Sequence, residues 1–411
     1  MEILNRIRIA RACAHERAYL NSLAMELFDE AETRAHTLDP SLPLYGLLYT
    51  VKDIFQVGSY PTRAGTQASL PEIGPEGPAV ASLRSAGALC VGKANTHEIA
   101  LGLTGENQWT GDVKNPFDAN RQSGGSSSGS AVSVAIGACD FSIGTDTAGS
   151  IRVPASYCGV LGYKPTYGAV SLAGAVPLVP SCDHIGVIAK DIDLLVSILR
   201  VWDIPVGTLS DISRPVCAIP KAYLRGRLSG PVEECFDTFC ERYVPDSVEL
   251  ELPDPLRCMD MYGKLRRDTF NLYKATINNN PERFSPRVLE LLQSGDVLEE
   301  EYLEARRWQY EYASEIAGLL STCDILILPT APTPAPLIGT NQIELTSGRV
   351  PLRDALMPLT LPFSMAGVPT ISLPLLSAEG LPVGVQLVAR RGADSALVRF
   401  AKDLITRVKG A

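Results

Sequence analysis

Between residues 123 and 190 glycine and serine are dense, yet apolar runs keep interrupting them. A flexible linker would lack those runs, so the stretch must pack. Small residues let backbone segments approach one another closely. A Gly/Ser loop at 123–129 leads into a small-residue helix at 130–136 (Ser-Ala-Val-Ser-Val-Ala-Ile). A short strand at 141–143 and a second glycine-containing loop, Gly144 to Ser150, follow. Such a stretch suits a site built largely from main-chain groups.

The flanking segments read as α/β. Residues 1–40 have helical spacing, as in 24–28 (Ala-Met-Glu-Leu-Phe) and 31–35, and predict one or two surface helices. The apolar run 47–51 predicts a strand ending at Lys52-Asp53. An amphipathic helix over 79–86 passes through Gly87 into a strand at 88–91. From about 205 to 320 charged helix-forming segments dominate, which predicts a helical layer over a sheet. Residues 324–328 read as a buried strand stopped by the proline-rich segment from Pro329. Late strands are expected at 370–373 and 383–388. No internal repeat is evident. One continuous unit over 1–411 with a helical insertion fits better than two independent domains.

Composition bounds the function. Of 411 residues 45% are hydrophobic and 20% charged, a globular balance. The net charge of −9, with no Lys/Arg-rich run, opposes a general nucleic-acid binder. The ten cysteines are scattered, with no CxxC, and no histidine lies near Cys235 and Cys240 to complete a zinc site. Free thiols in a reducing compartment are expected. No signal peptide and no bilayer-length apolar stretch is evident, so a soluble cytoplasmic protein is expected.

Only four histidines are present: His15, His36, His97 and His184. A Ser-His-Asp hydrolase needs one of them beside its serine. His15 and His36 lie in surface-like helices, and His97 reads as a helix start. His184 is the best general-base candidate, although a hydrogen bond to neighbouring backbone is the commoner fate. Gly125-Ser-Ser-Ser-Gly129 satisfies G-x-S-x-G around Ser127, but no strand precedes it, as a nucleophile elbow requires. Gly87 to Lys93 matches most of a phosphate loop, but Ala94 replaces the magnesium-binding hydroxyl, and the intervening residues read as a strand. There remain one lysine and the serine-bearing loops. Lys52 closes an apolar strand, and burial would lower its pKa toward neutrality. The loop ending at Ser150 can aim successive backbone N–H groups at one point, as an oxyanion hole requires.

Three segments then stand out in register: Gly124-Gly-Ser-Ser-Ser-Gly-Ser-Ala131, Gly144-Thr-Asp-Thr-Ala-Gly-Ser-Ile-Arg-Val-Pro-Ala155 and Gly162-Tyr-Lys-Pro-Thr-Tyr-Gly168. In order and spacing they strongly resemble the amidase signature family. Val51-Lys52-Asp53 fits its catalytic-lysine motif, and Ala366-Gly-Val-Pro369 and Gly380-Leu-Pro-Val-Gly384 match its C-terminal pattern. The likeness is close over 45–195 and looser over 324–405. It implies an α/β fold with a central mixed, twisted β-sheet covered by helices on both faces.

The resemblance implies that Ser150 is the nucleophile, Ser126 a relay serine following a cis peptide from Gly125, and Lys52 the ultimate base. It implies an oxyanion hole of the backbone N–H groups of Thr147, Ala148, Gly149 and Ser150, with Asp146 and Arg152 holding the loop. No metal and no organic cofactor enters that chemistry. One departure is Ala148, where many members have glycine. An alanine there requires a backbone angle that an L-residue tolerates.

The implied activity is hydrolysis of a small aryl or alkyl carboxamide, with esters or carbamates as extensions, by a monomer or homodimer. Gly105-Glu-Asn107 ahead of Asn115-Pro116, with the 140–147 segment, resembles indole-3-acetamide hydrolases, and the Ala-Gly-Ser variant resembles allophanate hydrolases. Leu103, Thr104, Trp109, Ile151, Phe363 and Met365 are the expected substrate wall. Three alternatives stand: the amidase component of a tRNA-dependent amidotransferase, against which the length and the lack of an evident docking extension count; a hydrolase of urea-like substrates such as allophanate; and a catalytically silent scaffold.

Overall fold

The computed structural model describes residues 2–206 and 215–410. The chain opens with α1 (Glu2–Glu16), β1 (Leu23–Glu26) and α2 (Phe28–Ala35), then β2 (Leu48–Lys52), α3 (Pro78–Ser85) and β3 (Leu89–Ala94). The small-residue region forms α4 (Ser128–Ala135), β4 (Phe141–Asp146), α5 (Arg152–Tyr157), β5 (Leu161–Lys164) and β6 (His184–Ala189). After α6 (Ile192–Val201) come β7 (Cys217–Ile219), α7 (Lys221–Leu224), α8 (Gly230–Tyr243) and β8 (Val248–Glu249). Four helices follow: α9 (Pro255–Leu265), α10 (Arg267–Asn279), α11 (Pro286–Gln293) and α12 (Glu299–Leu319). The chain ends with β9 (Ile325–Pro329), β10 (Gln342–Leu345), β11 (Gly348–Pro351), α13 (Leu352–Met365), β12 (Thr370–Ala378), β13 (Leu381–Val388) and α14 (Asp394–Lys409).

Among the described residues eleven strands form one mixed sheet in the order β1-β3-β2-β4-β6-β5-β12-β13-β9-β7-β8, and β10 and β11 form a separate hairpin. Strand alternation divides the apolar residues between the faces. Leu89 and Val91 pack with Ile7 of α1 and Val132 of α4. Tyr49, Val51 and Cys90 face a larger core that takes in Val80 of α3 and Leu195 of α6. Helices therefore cover both faces, as the family resemblance implied.

The expected strands and helices largely form. Residues 24–26 do not form a helix: Leu23–Glu26 pairs antiparallel with β3, so edge pairing overrides a local helical composition. The segment Leu89–Ala94 is a strand and no phosphate loop; its Lys93 pairs with Asp53 at 2.8 Å. The helical insertion also supplies β7 and β8, which its charged texture hid. All ten cysteines are free thiols. No helix among the described residues is long and apolar enough to cross a membrane.

Candidate active site

Strands β2, β3 and β4 run parallel, so their carboxyl ends open on one edge of the sheet, where open α/β sheets gather ligands. Lys52 ends β2, and the loop leading to Ser150 leaves β4. All five residues of β2 are buried, and Lys52 is carried inside with them. Its Nζ donates to Ser126 Oγ at 2.7 Å and to Thr145 Oγ1 at 3.0 Å. Burial pulls the Lys52 ammonium down to about 7, against the opposing attraction of Asp146 and Asp183.

Ser126 directly precedes the Ser127 cap of α4, and the Gly125–Ser126 peptide is cis, as the resemblance implied. The Ser126 carbonyl accepts from Thr96 Oγ1 at 2.9 Å and the His97 amide at 3.1 Å. The next amide, Ser127 N–H, donates to the Ser150 carbonyl at 3.1 Å, which ties the two serine loops together. The Ser126 and Ser150 hydroxyls share no hydrogen bond with one another. Ser127 caps a helix with no strand before it, and its hydroxyl donates to the Thr145 carbonyl at 3.2 Å.

Asp146 organises the Ser150 loop from beneath. Arg152 grips its carboxylate with Nη2 at 2.7 Å and Nε at 2.9 Å, both side chains being fully buried. Burial alone would raise the Asp146 carboxyl, but the Arg152 guanidinium holds it well below the usual range. The carboxylate also accepts the amides of Gly149 at 2.8 Å and Ile151 at 3.1 Å. This alters the expected oxyanion set: the Gly149 N–H is committed to Asp146. The amides of Thr147, Ala148 and Ser150 donate to no protein acceptor among the described residues. The left-handed position of the loop falls on Gly149, with φ at +120°, and Ala148 is not among the positive-φ residues. Alanine at 148 is thereby accommodated. A second buried carboxylate, Asp183, accepts from Thr147 Oγ1 at 2.6 Å and from the Leu178 amide at 2.8 Å.

The histidines do not assemble a triad. His184 Nδ1 bonds the Cys182 carbonyl at 2.6 Å and the Asp146 carbonyl at 3.2 Å, and burial drives its pKa well down. His97 begins a short 3-10 turn and lines the site cavity; burial, aided by Lys52, lowers its pKa to about 4. His15 is exposed beside Glu26, and His36 ends α2.

Ser150, Thr147 and Ala148 open on a cavity of about 560 Å³. Of the six expected wall residues, Leu103 and Thr104 line it. The other four do not. Trp109 turns its indole N–H to Glu98 at 2.8 Å, Ile151 is buried in the core on the α1/α4 face, and Phe363 and Met365 lie in the opposite core. Sequence reasoning missed Leu178, Tyr262, Leu291, Arg353, Leu356 and Met357. The 352, 353, 356, 357 spacing is one helical face, and it was the available signal for α13.

A family model described as Amidase matches residues 8–219 and 254–398. The AtzE component of the 1-carboxybiuret hydrolase of Pseudomonas sp. (strain ADP) is 34% identical, across 88% of this chain and 84% of that protein. A glutamyl-tRNA(Gln) amidotransferase component from Oleidesulfovibrio alaskensis is 30% identical, across 98% and 92%. A solved structure described as an amidase superposes with a TM-score of 0.94 at 40% identity, across 98% of this chain and 96% of that one. With its mixed sheet, its paired serine loops and these relatives, the chain belongs to the amidase signature family.

Proposed function

We propose that this chain hydrolyses the C–N bond of a small carboxamide through an acyl-enzyme on Ser150, with Ser126 as relay and Lys52 as base. The observation that carries the reading is the buried Lys52 amine, held near neutral pKa and 2.7 Å from Ser126 Oγ, beside the loop that presents Ser150 to the cavity. Neutral Lys52 takes a proton from Ser126 as Ser126 takes one from Ser150. Ser150 Oγ bonds to the substrate carbonyl carbon, and the amides of Thr147, Ala148 and Ser150 receive the oxyanion. Collapse breaks the C–N bond, and the proton returns through Ser126 to the departing ammonia or amine. Water deacylates Ser150 by the same relay. Esters and carbamates are open to the same chemistry, and all 411 residues act as one domain in this reading.

The test is labelling with a fluorophosphonate probe, combined with release assays over amides, esters, ureas and carbamates. Labelling abolished in Ser150→Ala, and turnover by the purified chain alone, are expected. Full activity in Lys52→Ala would refute the assignment. A second reading, one component of an amidotransferase, draws support from the likeness to the glutamyl-tRNA(Gln) amidotransferase protein. Glutaminase activity appearing only with a co-purified partner would favour it.

A further inference from the structure

Three guanidinium groups gather at the part of the cavity built from the helical insertion and the start of α13. Arg353 and Arg287 line the cavity, and Arg266 lies buried behind Leu291, whose carbonyl accepts from its Nη1 at 2.8 Å. Their charge is poorly balanced. Arg287 pairs with Glu290 at 2.5 Å on the solvent side. Arg353 makes no hydrogen bond or ion pair among the described residues, and the buried Nε of Arg266 has no partner. Among the described residues the one acidic side chain lining the cavity, Glu106, has a carboxylate oxygen that accepts from the Gly339 amide at 2.5 Å. Burial, and then the charges of Arg353 and Arg287, pull the Arg266 guanidinium down to about 10.

Helix α13 measures the distance between this cluster and the reacting end. Thr360 Oγ1 donates to the Ala148 carbonyl at 2.6 Å, so that turn of the helix touches the oxyanion loop. Arg353 lies two turns earlier on the same side, a rise of roughly 10 Å. Between them Leu356 and Met357 line the cavity, with Leu103 and Leu178. The order along the cavity is amide donors, then an apolar stretch, then unpaired guanidinium.

We propose that this site selects an anionic amide: a carboxamide joined by a short apolar spacer to a carboxylate, which the Arg353 guanidinium receives. A planar fork of N–H donors suits a carboxylate bidentately, and an anion would relieve the clustered positive charge. Tyr262, whose hydroxyl has no protein partner among the described residues, lines the same region and supplies a neutral donor. The inference rests on the hydrolytic reading above and names its substrate class.

The experiment compares glutaric acid monoamide with uncharged pentanamide. For the wild-type chain kcat/KM is expected to favour the monoamide about tenfold or more, chiefly through KM. In Arg353→Gln the ratio is expected to fall toward one, and Arg353→Lys to restore part of it. A ratio of one or less in wild type, or a preference that survives in a folded Arg353→Gln, overturns the proposal. Binding is read independently of turnover in Ser150→Ala: the monoamide is expected to raise its melting temperature, and less so with Arg353→Gln added. No shift in Ser150→Ala also overturns the anion site. Loss of the hydrolytic reading would show instead as fluorophosphonate labelling that persists in Ser150→Ala.

Discussion

Lys52 Nζ lies 2.7 Å from Ser126 Oγ, and no carboxylate of the described residues comes within 4.0 Å of that amine. The contrast is with Lys93 on the adjacent strand, equally buried but paired with Asp53 at 2.8 Å. One lysine keeps an ion-pair partner; the other bonds two hydroxyls, Ser126 Oγ and Thr145 Oγ1, and burial lowers its pKa to about 7.

This sets the pH dependence. In the proposed mechanism Lys52 acts as base when neutral, and burial lowers its pKa to about 7. The reading predicts kcat/KM rising with pH through that value and levelling above it. A flat profile between pH 6 and 9 would contradict it.

Removing the proposed base or the proposed relay tests the same arrangement. Lys52→Met and Ser126→Ala are each expected to lower kcat by roughly 10²–10⁴-fold, the usual range for proton-transfer catalysis. Circular dichroism would verify that the variants fold, and steady-state amide hydrolysis would supply the rates.

Asp183 bears on Lys52 from beyond Thr147. Its charge helps hold the Lys52 pKa up, so Asp183→Asn removes a force that favours the ammonium. The acid limb of the profile is expected to move to lower pH. An unmoved limb would leave Asp183 only its hydrogen bonds to the loop.

The Asp146–Arg152 pair is expected to be costly to break. Both side chains are fully buried, so Arg152→Leu leaves a carboxylate without its counter-charge. A loss of about 3–5 kcal/mol in denaturant unfolding is expected, with loss of labelling at Ser150.

Positions 148 and 149 should respond oppositely. A Cβ at Gly149 would meet Thr360 Oγ1 at 2.6 Å in a left-handed backbone. Gly149→Ala is expected to cost about 1–3 kcal/mol. Ala148→Gly needs no such shift and is expected to stay within about 1 kcal/mol of wild type. Chemical denaturation of both variants provides the comparison.

The chain's local patterns determined much of this protein. Apolar runs marked the strands around β2, β4, β9 and β13, because a buried strand must be apolar wherever it lies. The two serine loops and Lys52 stood out because the loop motifs are contiguous in the chain and the lysine closes a strand, and their likeness to the amidase signature family is what singled them out as site candidates. Other features were decided only in three dimensions. Residues 23–26 became a strand because β3 offered an edge, and the Gly149 amide turned away because the Asp146 carboxylate lies beneath it. The cavity wall draws Leu103, Leu178, Tyr262 and Arg353 from four distant segments. No periodicity within one segment reports that meeting, because the sheet order and the crossing of α13 bring those side chains together.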